Sequence, residues 1–165
     1  MMKKSYYVIP FAFIFFVLFS FLSQFRLVLV SGQSMEPTLY NNTLILLRKE
    51  NEIQREHIVS FTAPKSWSYL EDKSLIKRVI AGPNDNLKID SDFVYVNNKE
   101  IVRIKGKVKI EQELDITLKE NEYFVMGDNV GKSHDSLFEY SLGNNDYLVK
   151  RDLITYSTGD YPFEK

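Results

Sequence analysis

The sequence predicts a mainly β domain that follows one apolar N-terminal helix. Residues 6–25 carry no charge, and about 20 apolar residues in a helix are enough to cross a bilayer. Beyond this run, short apolar segments alternate with turn-forming residues, whereas the apolar periodicity typical of helices is weak. We therefore expect a membrane anchor in residues 1–25 and a single β domain in residues 26–165.

Two lysines, Lys3 and Lys4, stand before the apolar run. Because positive charges favour the cytoplasmic side, they predict a cytoplasmic N-terminus and an extracytoplasmic β domain. A cleaved signal peptide is the alternative, but the run is long and no clear Ala-x-Ala site follows it. An uncleaved helix would leave Arg26 at the outer interface and Ser34, eight residues later, at the surface of the lipid bilayer.

Seven segments of the β domain have the composition or the alternation of short strands. They are residues 43–47, 58–61, 75–81, 92–96, 99–102, 122–126 and 148–156. Asn97 and Asn98 separate two of them and predict a two-residue hairpin turn. We expect residues 65–73 and 104–122 to be solvated excursions. Trp67, in the first excursion, is predicted to be either a core residue or a contact with the membrane surface.

Composition excludes several classes of function. The chain of 165 residues has a formal net charge of −1, which gives no sign of nucleic-acid binding. It contains no cysteine, so disulfides and thiolate chemistry are excluded. Neither its two histidines nor its acidic residues have the spacing of metal ligands, and we expect no metal site.

The segment from Ser31 to Leu39 holds the candidate nucleophile, Ser34. Gly32 permits a tight turn, and Pro37 fixes its own φ and restricts Glu36 before it, so the segment presents one hydroxyl on a rigid turn. Taken alone, this composition is typical of an ordinary loop. An alkyl hydroxyl becomes a nucleophile only where a base removes its proton.

Lys77 is the candidate base. Strand alternation places Leu75, Lys77 and Val79 on one face and Arg78 on the other. Apolar neighbours would desolvate the amine, which disfavours its charged form and lowers its pKa, as a general base requires. The alternative is a lysine whose stem packs while its amine reaches water.

Three stretches resemble the sequence boxes of the bacterial type I signal peptidases, in the family's order. Residues 31–39 are similar to its Ser-Met-x-Pro-Thr box, and residues 77–85 to its Lys-Arg-Val-Ile-Gly-x-Pro-Gly-Asp box. Residues 127–129 with 133–136 are similar to its Gly-Asp-Asn…Ser-x-Asp-Ser box. The resemblance implies a Gram-positive-type membrane serine endopeptidase with a coiled β-sheet catalytic domain. Such an enzyme removes signal peptides from exported preproteins and needs no metal or organic cofactor.

The resemblance also implies roles for individual residues. Ser34 would attack the peptide carbonyl, Lys77 would act as general base, and Ser133 would orient the lysine amine. Met35 would line the substrate cleft. Gly32 stands where some members carry a hydroxyl, so backbone N–H groups, chiefly that of Ser34, would stabilise the oxyanion. The back wall of the site would be formed by Gly127, Asp128 and Asn129.

Asp135 matches a family carboxylate beside the site, but its surroundings depart from the family pattern. Val130 and Leu137 stand where arginines are usual, so Asp135 would lack its customary partner. Arg78 is the obvious substitute, although strand alternation directs it to the opposite face from Lys77.

Three alternatives compete with this interpretation. A non-catalytic relative that assists the assembly of surface polymers such as pili typically loses the serine or the lysine, and this chain keeps both. A Ser/Lys self-cleaving repressor would carry a DNA-binding domain where the apolar run stands. An anchored β-rich binding domain would leave the three matching boxes to coincidence.

Overall fold

Apolar residues of the N-terminal run form the helix α1, Val8–Leu22, in a computed structural model that describes residues 8–67, 69–104 and 108–159. The helix ends earlier than predicted, because Phe25 is already the first residue of a strand. Lys3, Lys4 and residues 6–7 of the predicted run lie outside the described residues. Within the described ranges, no helix combines the length and the apolar character that a membrane span requires.

Eleven strands follow in the described residues. They are β1 (Phe25–Leu29), β2 (Leu44–Arg48), β3 (Ile58–Thr62), β4 (Ser74–Ala81), β5 (Asn86–Ile89), β6 (Phe93–Val96), β7 (Lys99–Arg103), β8 (Leu114–Thr117), β9 (Glu122–Met126), β10 (Val149–Lys150) and β11 (Ile154–Ser157). Seven of them form one sheet in the order β1-β2-β11-β3-β4-β9-β10, and four form a second in the order β7-β6-β5-β8. Neighbouring strands pair antiparallel, and the prediction of a mainly β domain is confirmed.

Apolar side chains fill the space between the two sheets. Ile80 and Phe124 of the larger sheet share a buried cluster with Leu87 and Val94 of the smaller one. A second cluster joins β3, β4 and β9 to the excursion between β3 and β4, and a third joins β1 and β2 to the turn that carries Ser34. Residues of β4 belong to all three clusters, so a charged side chain on this strand is removed from water.

The predicted hairpin is confirmed, whereas residues 104–122 are not the solvated excursion that their charge suggested. Asn97 and Asn98 have φ values of 51° and 63°, the left-handed pair that a two-residue turn of this kind requires. Residues 104–122 contain β8, which pairs with β5. The sequence pattern indicated neither of these two strands. Leu114 and Ile116 pack against the core and alternate with Asp115 and Thr117, but the alternation extends over four residues only.

One helix of the β domain, α2 (Ser136–Ser141), is too short to show helical periodicity in the sequence. Its start is defined by Asp135, whose side chain accepts hydrogen bonds from the backbone N–H groups of Leu137 and Phe138. Two short 3-10 helices, Val130–Lys132 and Arg151–Leu153, complete the described elements.

Trp67 is a core residue, which decides between the two predicted roles. Its side chain is fully buried, meets the ring of Phe61 edge-on, and donates from Nε1 to the carbonyl oxygen of Asp146 at 3.0 Å. Tyr69, two residues later, is 84% exposed. The excursion therefore folds back over the larger sheet and buries one side chain there.

Trp67→Ala should lower the free energy of unfolding by about 3–5 kcal/mol, because it leaves a large cavity and an unpaired carbonyl. Tyr69→Ala, in the same excursion, should change it by less than about 0.5 kcal/mol. Urea unfolding of the full-length variants in detergent measures both. Equal effects of the two substitutions would contradict the packing described for Trp67.

Candidate active site

The side chains of Ser34 and Lys77 meet across 43 residues of sequence, where Lys77 Nζ donates to Ser34 Oγ at 2.8 Å. Lys77 lies within β4, opposite Val59 of β3, and is only 4% exposed. Ser34 lies on the turn after β1. Among the described residues, its hydroxyl is the hydrogen-bond partner of the Lys77 amine. The predicted pair is thus in contact.

The turn that carries Ser34 is held from both sides. Gly32 takes a φ of 94°, a conformation that favours glycine, and its N–H donates to the side chain of Asn41. From the other side, the N–H of Asn129 donates to the carbonyl oxygen of Ser34 at 3.0 Å, and its side-chain amide donates to the carbonyl oxygen of Gln33 at 3.1 Å. The backbone N–H of Ser34 donates to no acceptor within the described part of the chain.

Gly127 has to be glycine because the serine turn and Ser133 approach its backbone closely. A Cβ at this position would lie 2.3 Å from the carbonyl oxygen of Ser34 and 2.3 Å from Ser133 Oγ. Any larger residue would push the turn away from Lys77. The segment of Gly127, Asp128 and Asn129 therefore forms a wall of the candidate site, beside the turn that carries Ser34.

Burial is the main influence on the Lys77 amine and lowers its pKa, while the negative charges of Asp135 and Asp128 oppose that effect. Alternation puts Lys77 on the same strand face as Leu75 and Val79, which belong to an apolar cluster with Val59. The lowered pKa increases the fraction of the amine that is free of its proton near neutral pH.

Arg78, the next residue of β4, is also buried but has a charged partner. Its guanidinium donates to both carboxylate oxygens of Asp128, at 2.8 and 2.7 Å, and to the carbonyl oxygen of Glu56 at 2.9 Å. Burial alone would lower the pKa of Arg78, but the hydrogen bond and charge of Asp128 raise it. Arg78 therefore pairs with the wall of the site and is not the substitute partner of Asp135.

Asp135 is satisfied without an arginine. It is buried, accepts from the backbone N–H of Gly127 at 2.9 Å, and accepts from the first N–H groups of α2. Leu137, at one of the two positions where an arginine is usual, is buried in the core between the sheets. Backbone donors and the start of a helix thus stabilise this carboxylate.

Two predicted roles are not matched by contacts. Ser133 is buried beside Gly127, but its hydroxyl has no hydrogen-bond partner in the described structure, so the expected bond to Lys77 is not formed. Met35 is 1% exposed because it packs with Leu39 and Ile58 beneath the serine turn, and it does not line an open cleft. Met35 therefore belongs to the apolar cluster beside the serine turn, whereas Ser133 lies against Gly127.

Sequence reasoning missed two features beside the pair. The first is the edge of β4 before Lys77: β9 pairs with β4 only from Arg78 onward, and Leu75 and Ile76 are half-buried there. The second is a cleft of about 800 Å3 that shares Gly127 with the wall of the site. Neither has a local signal, since each is formed by segments that are distant in sequence. No group of His, Asp or Glu in the described ranges is arranged to hold a metal ion.

Known proteins resemble the chain over most of its length. The model of the family described as "signal peptidase, peptidase S26" matches residues 2–154. Signal peptidase I U of Bacillus subtilis (strain 168) is 28% identical over 82% of this chain and 75% of its own. Signal peptidase I of Bacillus caldolyticus is 32% identical over 82% of this chain and 81% of its own. A crystal structure of a signal peptidase I from Enterococcus faecalis V583 gives a TM-score of 0.44 at 22% identity, covering 63% of this chain and 94% of that one.

The chain is therefore a peptidase, and it belongs to the signal peptidase family, peptidase S26. The family predicted from the three sequence boxes is confirmed, and the Bacillus relatives agree with the predicted Gram-positive type.

Lys77→Met should stabilise the protein near neutral pH. Because burial lowers the pKa of Lys77 in the folded state, the unfolded chain holds this proton more tightly. The wild type is therefore destabilised below the lowered pKa, and the penalty disappears as pH rises to the unfolded value of about 10.4. Thermal unfolding of both proteins from about pH 6 to 10.5 should show an advantage of Lys77→Met that shrinks as pH rises.

Lys88→Met, at an exposed lysine of β5, is the matched control. An advantage of Lys77→Met that stayed constant over the whole pH range would contradict the burial of a neutral amine.

Proposed function

We propose that this peptidase removes N-terminal signal peptides from exported preproteins, with Ser34 as nucleophile and Lys77 as general base. The observation that carries the proposal is the 2.8 Å contact between the hydroxyl of Ser34 and the buried amine of Lys77. A hydroxyl can donate as well as accept, so the same contact serves proton transfer once the amine is neutral.

In the proposed mechanism, neutral Lys77 takes the hydroxyl proton while Ser34 Oγ attacks the carbonyl carbon of the scissile bond. The N–H of Ser34, free of other acceptors in the described residues, stabilises the oxyanion and would contribute ~3 kcal/mol to the transition state. Protonated Lys77 then delivers its proton to the leaving amine, and an ester to Ser34 remains. Lys77 next takes a proton from the water that attacks the ester, and it returns that proton to Ser34 Oγ as the signal peptide leaves.

The open edge of β4 offers a place for the signal peptide. An extended segment could add to this edge as a further strand and lead its scissile bond to Ser34. Leu75 and Ile76, half-buried on that edge, would supply apolar contacts. The alternative is a non-catalytic accessory for surface-polymer assembly. Such a protein would require neither the contact between Ser34 and Lys77 nor the open edge of β4, so these two features do not support it.

We also propose that residues 1–25 anchor the enzyme and that residues 26–165 work outside the membrane against the lipid surface. Support comes from the outer face of the β1–β2 ribbon, where four side chains are each about 60% exposed: Leu27, Leu29, Leu44 and Leu46. Apolar residues of α1 such as Phe16 and Phe19 are similarly exposed. Such a continuous apolar surface beside a helix fits contact with a lipid bilayer.

Substitution of either member of the pair should abolish preprotein cleavage while the protein stays folded. Ser34→Ala lacks the nucleophile, Lys77→Ala lacks the base, and Lys77→Arg stays protonated. Cleavage of a fluorescent preprotein by each full-length variant is the measurement, with the exposed Ser91→Ala and Lys88→Arg as controls. Turnover by Lys77→Arg near that of the wild type would rule out Lys77 as the base.

The topology can be tested with reporters fused after Lys165. A reporter that is active only outside the cytoplasm should be active, and a reporter that folds only in the cytoplasm should be silent, because Lys3 and Lys4 keep the N-terminus inside. Exchanging both lysines for glutamate should weaken this preference. The opposite pattern in the unaltered protein would place the site away from exported substrates.

A further inference from the structure

The cleft of about 800 Å3 beside the Ser34–Lys77 pair has no role in the mechanism above. One wall is the chain that directly follows the nucleophile, Glu36 to Thr38, and another is the segment from Gly127 to Gly131. Ile101 and Arg103 of β7 close it from the smaller sheet. Its size is that of a site for a few residues of peptide.

The position of the cleft along β4 indicates what could enter it. The open edge of β4 lies before Lys77, whereas Ile80, after Lys77, lines the cleft. Because β9 occupies the edge of β4 from Arg78 onward, a peptide that lies along the open edge would leave β4 at Ser34, and the residues after Ser34 line the cleft.

The two sides of the pair also differ in their surroundings. Ile76, on the open edge, packs against the cluster beneath the β1–β2 ribbon, the surface proposed to face lipid. The cleft instead borders the smaller sheet. If the enzyme removes signal peptides, the membrane-derived signal peptide occupies the open edge, and the first residues of the mature protein occupy the cleft.

The charged residues of the cleft differ in whether they already have an interaction partner. Asp128 is neutralised by Arg78, and the guanidinium of Arg103 lies over the ring of Phe93 at 5.8 Å. Glu36, two residues after the nucleophile, has no ion pair or side-chain hydrogen bond within the described residues. Its carboxylate is therefore available to a ligand.

We propose that the cleft binds the first residues of the mature protein and that Glu36 makes it prefer a positive charge there. The proposal rests on the function proposed above and adds a specificity-determining residue to it. Glu36 would attract a Lys or Arg side chain of the substrate and repel Asp or Glu. It takes no part in proton transfer.

Matched preproteins with Lys, Gln or Glu at each of the first four mature positions test the proposal on the full-length enzyme in detergent. At one position or more, kcat/KM should fall from Lys to Gln to Glu by about three- to fivefold per step at low salt, as expected for a partly exposed charge pair. The difference should appear mainly in KM and shrink at high salt.

Glu36→Gln should remove the preference, so that the Lys, Gln and Glu substrates are cleaved with similar kcat/KM, and Glu36→Lys should invert it. Val130→Arg, which adds a cation to the cleft wall, should weaken it without altering Glu36. Glu120→Gln, at an exposed glutamate between β8 and β9, is the matched control and should keep the wild-type preference.

Two results would overturn the proposal alone: efficient cleavage of all substrates without any charge preference, or a preference that survives in Glu36→Gln. Failure of the wild type to cleave the Gln substrate would instead refute the proposed function together with this inference. A second measurement, without turnover, is the binding of a labelled peptide that corresponds to the first residues of the mature protein to the Ser34→Ala variant. A Lys-containing peptide should bind more tightly than its Glu counterpart, and Glu36→Gln in that background should equalise them.

Discussion

The removal of one amine from water is the constraint on which the rest of the site depends. β4 is packed on both faces, and it carries two consecutive cations into that environment. Arg78 keeps its charge because Asp128 meets it with two hydrogen bonds. Among the described residues, Lys77 has the neutral hydroxyl of Ser34 as its hydrogen-bond partner, and burial lowers its pKa despite the charges of Asp135 and Asp128. The same strand thus holds Arg78, which keeps its positive charge, and Lys77, whose lowered pKa favours the neutral amine.

The wall formed by Gly127 to Asn129 connects this strand to the turn that carries Ser34, the proposed nucleophile. The absence of a side chain at Gly127 lets the carbonyl of Ser34 approach, and Asn129 then holds the turn by two hydrogen bonds. Asp135 positions the wall in turn, since the same carboxylate accepts from Gly127 and starts α2. The distance between Ser34 and Lys77 therefore depends on backbone contacts, which are stiffer than contacts between long side chains.

Local pattern was a good guide to some elements and a poor one to others. Paired asparagines were enough to predict the β6–β7 hairpin, because the turn itself demands left-handed residues. Local pattern failed for β5 and β8, each a strand of four residues, and for α2, which is shorter than two helical turns. Trp67 shows the same limit, since its burial depends on an excursion folding back over the sheet.

The sequence by itself determined the family, the two residues that could serve as nucleophile and base, and the glycine and proline that shape the serine turn. Those features are local, because they depend on the residue type at each position and on the backbone conformations that glycine and proline allow. Only the tertiary structure decided that Lys77 is buried against Ser34, that Asp135 is satisfied by backbone donors, and that a cleft lies beside the residues after Ser34. Each of these joins segments tens of residues apart, and their distances follow from how the sheets pack, a property that no single stretch of sequence contains.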